Sequence, residues 1–173
     1  VVEIGGLTPG TGYQYQIYLD GQPVPRWTEW QFSTFPAEDH QGVVRIAFGG
    51  CALYEPLNER MWDTIRLRRA QAFLILGDNV YIDLPVTHNP FHDYTYYQRQ
   101  SRPEFRRLAA STPIYAIWDD HDAGIDDVFM GPYADKPAWK VDHFLLFRRN
   151  WNNPAYGAEP QWPGVWFNFR IGA

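Results

Sequence analysis

Three short stretches of the chain carry side chains that can hold a cation or move a proton. Cys51 follows Phe48-Gly49-Gly50, Asp78, Asn79 and Tyr81 follow Gly77, and Asp119-Asp120-His121-Asp122 follows Trp118. Thiolate and phenolate are anionic donors that suit a high-charge transition metal, and carboxylates suit hard cations such as calcium. An imidazole titrates near neutrality and can give or take a proton. Taken singly, each residue has a plainer reading. Cys51 is then a small buried hydrophobe or a reactive thiol, Gly77-Asp78 a turn or helix cap, Tyr81 core packing and His121 a loop histidine. The Asp119–Asp122 stretch is harder to dismiss, because acids crowded after an apolar run cost stability without a counter-ion.

The elements that must position these residues are legible as apolar runs. Val43 to Phe48, Ala72 to Leu76 and Ile114 to Trp118 are short, continuous and rich in aliphatic and aromatic residues, and each stops at one of the three stretches. Between them, Leu57, Met61 and Ile65 with Trp62, and then Phe105, Leu108 and Ala109, recur at helical spacing. Strand, helix, strand, helix, strand predicts βαβ units and a largely parallel sheet, an α/β fold. In such a sheet the carboxyl ends of the strands share one edge, where ligands bind. Three loops distant in sequence then converge, and a metal site at that edge accounts for the acids economically.

Residues 1–35 follow a different period. Tyr13, Tyr15, Ile17 and Leu19 alternate with polar neighbours, Asp20-Gly21 is a hairpin signal, and Trp30, Phe32 and Thr34 alternate again. Residues 1–35 are expected to be strands, with residues 36–42 as a polar linker and residues 43–173 as the α/β part. Val1-Val2-Glu3-Ile4 and Val165 to Ile171 also have strand character, so the chain reads as a segment of something longer.

Composition narrows the function classes. With 8 Trp, 11 Tyr and 11 Phe the chain is not disordered, and a net charge of −5 gives no basic excess for nucleic-acid binding. Arg66-Leu67-Arg68-Arg69 and Arg106-Arg107 read as solvated helix faces. No apolar run approaches a membrane span, and one cysteine excludes an intrachain disulfide.

Phe48-Gly49-Gly50-Cys51, Gly77-Asp78-Asn79-Val80-Tyr81 and Trp118-Asp119-Asp120-His121-Asp122 resemble successive motifs of the PhoD-like alkaline phosphatases, a metallophosphoesterase group. Lys140, Phe147, Trp151, Asn153-Pro154 and Gly157 are similar to the stretch beyond that group's Asp-Asp-His motif, and Leu7-Thr8-Pro9-Gly10 before the tyrosines resembles the end of a fibronectin-III-like sandwich. The resemblance implies a metal-dependent phosphate-ester hydrolase on a four-layer α/β/β/α sandwich. It further implies Fe(3+) held by Cys51, Asp78 and Tyr81, with Asp78 bridging to Ca(2+). Asp120 stands where the wider superfamily has an Asn ligand, and Asp126 where the family often has an Asn. His121 is implied as proton donor or phosphate stabiliser, with Asp119 beside it as ligand or supporting acid. The group's habit implies a secreted or periplasmic setting. Its later ligand motifs are absent after Ala173, so the segment alone is expected to be inactive.

Two other readings stay open. One is a non-catalytic fragment or binding module with an incomplete metal site. The other is a hydrolase with Cys51 as nucleophile, although Gly50-Cys51-Ala52 lacks an arginine-bearing phosphate cradle.

Overall fold

The computed structural model describes residues 2–131, 133, 136–158 and 162–172. Its centre is a three-stranded parallel sheet of order β5-β6-β7, formed by β5 (Ile46–Gly49), β6 (Ala72–Leu76) and β7 (Ile114–Ile117). Ile46 pairs with Ala72 and Phe73 with Ile114, so the three carboxyl ends finish at one edge. The apolar runs thus become parallel strands, as expected. The first is offset: Val43 lies outside the sheet and is exposed, and the strand begins only at Ile46.

Helices α1 (Met61–Leu67), α2 (Pro90–Gln100), α3 (Pro103–Ala109) and α5 (Lys140–Asn150) accompany the sheet. α2 begins where the sequence allows it: Asn89 accepts a hydrogen bond from the Phe91 amide, and Pro90 takes the first helical position, where no amide is needed. The helical stripe begins at Met61; Leu57 sits in the preceding turn at 85% exposure and is not part of it. Phe73 and Ile75 point into a core with Trp62, Phe105, Leu108, Leu146, Phe147 and Trp151, each such side chain worth roughly 1.5–3 kcal/mol in burial. The arginine clusters are solvated only in part. Arg66 and Arg107 both bind Asp63, and Arg106 lies over Trp27 at 4.0 Å.

The opposite sheet face is only partly covered: Ala72 is buried and Phe35, Phe167 and Phe169 pack on Tyr115. Ile46, Phe48, Leu76 and Ile117 alternate with the core residues and are exposed, Phe48 by 70%. One face is thus fully covered, and the other is covered at Ala72 and Tyr115 but open at Phe48 and its neighbours. The free edge of β7 is closed by a side chain. Asn153 accepts from the Ala116 amide at 3.0 Å and donates to its carbonyl at 2.7 Å, mimicking a fourth strand at one residue.

Residues before the linker form two antiparallel pairs, β1 (Gly12–Gln14) with β4 (Gln31–Ser33) and β2 (Tyr18–Leu19) with β3 (Gln22–Pro23). The alternation from Tyr13 to Leu19 is therefore broken between two strands. Tyr13 stacks on Phe32 and Tyr15 on Trp30, and the Tyr15 hydroxyl donates to the Ala110 carbonyl, tying this part to the α/β part. Val165 to Ile171 does not form a strand; Phe167 and Phe169 instead pack against Tyr115. Residues 2–4 also lie outside any strand, and Val1 is outside the described residues. A last antiparallel pair joins β8 (Gly157–Ala158) and β9 (Trp162–Pro163). Among the described residues, no helix is long and apolar enough to cross a membrane.

Candidate metal centre

The three strand ends meet with almost no space between them. A Cβ on Gly77 would lie 2.7 Å from that of Asp119, and one on Gly50 would lie 3.0 Å from the Gly77 carbonyl oxygen. Gly77 also has φ +102°, a left-handed conformation that favours glycine. The Cys51 amide closes the junction by donating to the Gly77 carbonyl at 3.3 Å.

Strain concentrates here. Among the described residues, six non-glycine residues have positive φ, and Cys51, Asp78, Asp83 and Asp127 are four of them. Each such conformation costs about 1–2 kcal/mol for an L-residue, so surrounding contacts must impose it. At Asp78 those contacts come from Asp122. Its Oδ2 accepts from the Asn79 amide, the Asn79 side-chain amide and the Asp119 amide at 3.0–3.1 Å, and its Oδ1 from the Val80 amide at 3.1 Å. Burial outweighs the downward pull of those four donors and leaves the Asp122 carboxyl pushed up to about 7. All four contacts are N–H donors, which the ionised carboxylate satisfies and a protonated one does not. Asp122 thus binds the loop after β6 to the short helix α4 (Asp120–Ala123) after β7.

Several of the site residues expected from the sequence lie close together. Oxygens of Asp78 and Asp120 and a ring nitrogen of His121 lie within 4.8 Å of one another, and Asp120, Asp126 and Asp127 form a second such group. The Tyr81 hydroxyl donates to Asp78 Oδ2 at 3.3 Å, and its ring lies 4.2 Å from that of His121. Cys51 is an exposed free thiol rather than a buried one. Asp119 has a distinct position: its carboxylate caps α4, in a capping box closed by Asp122.

The electrostatics are those of an unneutralised donor set. The hydrogen bond to Asp78, then the charges of Asp78, Asp119 and Asp120, push the Cys51 thiol up. Burial, then the charges of Asp78 and Cys51, push the Tyr81 phenol up to about 12. Asp120 is held below the usual carboxylate range, chiefly by the Asp127 amide. Asp78 is buried, and its Oδ1 has no hydrogen-bond partner among the described residues. A buried carboxylate oxygen without a donor is costly, and a cation is the partner that also lowers the thiol and the phenol. The residues present therefore fit a metal.

One neighbour of His121 escaped the sequence reading. Asp83 Oδ1 lies 2.6 Å from His121 Nδ1. Burial disfavours protonation of His121, but the bond to Asp83 and the charges of Asp83, Asp78 and Asp120 outweigh it and raise the imidazole above its ordinary value. Nothing in the spacing of Asp83 marks it; a left-handed aspartate two residues after Tyr81 is visible only in the backbone.

The sequence matches no family model and no curated protein. Among solved structures, PhoD is similar with a TM-score of 0.76 over 98% of this chain and 37% of that one, at 18% identity. The chain shares its fold with the matching part of PhoD. Purple acid phosphatase PPD1 from yellow lupin (Lupinus luteus) seeds is similar with a TM-score of 0.68 over 97% of this chain and 30% of that one, at 14% identity. The chain thus spans about a third of the length of the solved structures it matches.

Proposed function

We propose that these residues form part of the metal centre of a phosphoesterase that cleaves phosphate esters with a metal-activated water. The observation that carries this reading is the buried Asp78 carboxylate, whose Oδ1 has no hydrogen-bond partner among the described residues and which lies grouped with Asp120 and His121 and accepts from Tyr81 through Oδ2. Asp78, Tyr81 and Cys51 would hold Fe(3+), and Asp120 and Asp126 would hold Ca(2+), with Asp78 between the two. Bound cations supply Lewis acidity, lowering the pKa of water and offsetting charge on phosphoryl oxygens. The chain's own contribution is to fix the donors and to supply a proton. Asp83 keeps a proton on His121 Nδ1, so the imidazolium presents Nε2–H to a departing alkoxide. Asp119 supports Asp120 by capping the helix on which it stands.

A cysteine nucleophile is disfavoured by the same electrostatics, since the carboxylates around Cys51 keep it a thiol. The exposure of Phe48, Leu76 and Ile117 supports a four-layer α/β/β/α sandwich whose second sheet covers them, and residues 1–35 would be the last strands of a fibronectin-III-like module. A phosphate-ester substrate and an extracytoplasmic setting complete the reading. The test is metal analysis of the purified full-length protein combined with turnover of p-nitrophenyl phosphate. Bound metal, loss of turnover on chelation and an inactive Asp78→Asn variant are expected. Full turnover from metal-free protein would overturn the reading.

A further inference from the structure

A buried arginine lies behind the metal loop. Arg99, on α2, is 4% exposed. Its Nε and Nη2 donate to Glu59 Oε2 and Oε1 at 3.4 and 3.1 Å, and its guanidinium lies over the rings of Tyr54 and Trp62. Glu59 is fully buried and also accepts from Trp62 Nε1 at 2.7 Å. The remaining contact leaves this cluster: Arg99 Nη1 donates to the Asn79 carbonyl at 2.7 Å.

That carbonyl belongs to the peptide whose N–H, on Val80, donates to Asp122 Oδ1. One peptide plane of the metal loop is therefore gripped at both ends, from α2 on one side and from α4 on the other. The preceding peptide is fixed through the Asn79 amide, again by Asp122. These two planes set the direction in which the chain leaves left-handed Asp78 and reaches Tyr81. A buried ion pair brings little net stability over apolar residues of the same size, so cohesion alone is a weak reason for it. The fork geometry of arginine, which serves Glu59 and Asn79 together, is what lysine cannot reproduce.

We propose that the Glu59–Arg99 pair is a positioning device that preorganises the Asp78–Tyr81 loop for its cation. The proposal rests on the metal-centre reading above, and Mn(2+) binding alone, followed by the free-ion signal in electron paramagnetic resonance, separates the two. Wild-type protein is expected to bind Mn(2+) and Asp78→Asn to bind it at least tenfold more weakly; equal binding would overturn the metal-centre reading itself. With that difference in place, Arg99→Lys and the charge-free double variant Glu59→Gln, Arg99→Met are each expected to bind at least tenfold more weakly than wild type. Their metal-free forms should still unfold cooperatively. Binding within twofold of wild type in either folded variant would overturn the positioning role and leave the metal centre standing. Should neither variant fold, hydrogen exchange of the unsubstituted protein decides. A preorganised loop protects the Asn79 and Val80 amides to within threefold with and without Mn(2+), whereas tenfold protection gained only on adding Mn(2+) would refute the proposal.

Discussion

Replacing Asp122 tests whether acceptor geometry or the burden of a buried charge governs the strand-end junction. In Asp122→Ala the Asn79 side-chain amide keeps its bond to the Ile117 carbonyl, but the amides of Asn79, Val80 and Asp119 lose their acceptor. Each buried donor left unsatisfied costs about 1–3 kcal/mol, so the loss is about 3 kcal/mol or more against a total of about 5–15. Asp122→Asn keeps the shape. Its oxygen can face the amides of Asn79 and Asp119, while its NH2 group meets the Val80 N–H, leaving about one unsatisfied donor and a cost of about 1–3 kcal/mol. The opposing effect is the burial that pushes Asp122 up to about 7. If that burden governed, removing the charge in Asp122→Asn would leave stability unchanged or raise it. Urea unfolding of the full-length protein, with midpoints compared at unchanged slope, reads the sign directly. A stability order of wild type, then Asn, then Ala is expected. An Asn variant as stable as wild type would refute the argument that four N–H donors hold this carboxylate in its ionised form.

Other outcomes follow from the same geometry. With Fe(3+) bound, Tyr81→Phe removes the phenolate donor and should abolish or shift the visible charge-transfer band; an unchanged band would remove Tyr81 from the ligand set. His121→Ala should lower kcat more for alkyl phosphates than for p-nitrophenyl phosphate, whose leaving group scarcely needs a proton, and equal losses would argue against His121 as the acid. Gly77→Ala should destabilise by about 2 kcal/mol or more, because its Cβ meets Asp119 at 2.7 Å and its φ is +102°, which a thermal melt can check. Asp63 is held below the usual carboxylate range, first by its bond to Arg107, so its contribution is present at neutral pH and fades as pH falls through that depressed value. The melting-temperature gap between wild type and Asp63→Asn should accordingly close well below about pH 4, and a gap that persists in strong acid would refute the assignment.

The sequence made the sheet legible because three apolar runs end in polar stretches, and parallel strands must bring such ends together. Asp78, Asp120 and His121 were found that way. Asp83 was not, since its role comes from a left-handed turn rather than from spacing. Arg99 was also missed, although His92, Tyr96 and Arg99 share one buried face of α2 at helical spacing; a charge on a helix is ordinarily solvated, and only the distant Glu59 makes burial tolerable. The strand pattern of residues 165–171 failed for a tertiary reason: its aromatics found Tyr115 and Phe35 as partners without joining a ladder.

The close approach of Gly50, Gly77 and Asp119 limits how this centre can change. The separation of its loops is set by methyl groups that are absent, so a side chain added at either glycine displaces Cys51, Asp78 and the capped helix together. Selection or design cannot retune those donors one at a time through the backbone. The adjustable part lies outside the junction, at Asp126 and Asp127, exposed residues that reach toward Asp120 without bearing on the strand ends. A change of preferred cation would therefore be sought first in that outer pair, where a new ligand costs the scaffold least.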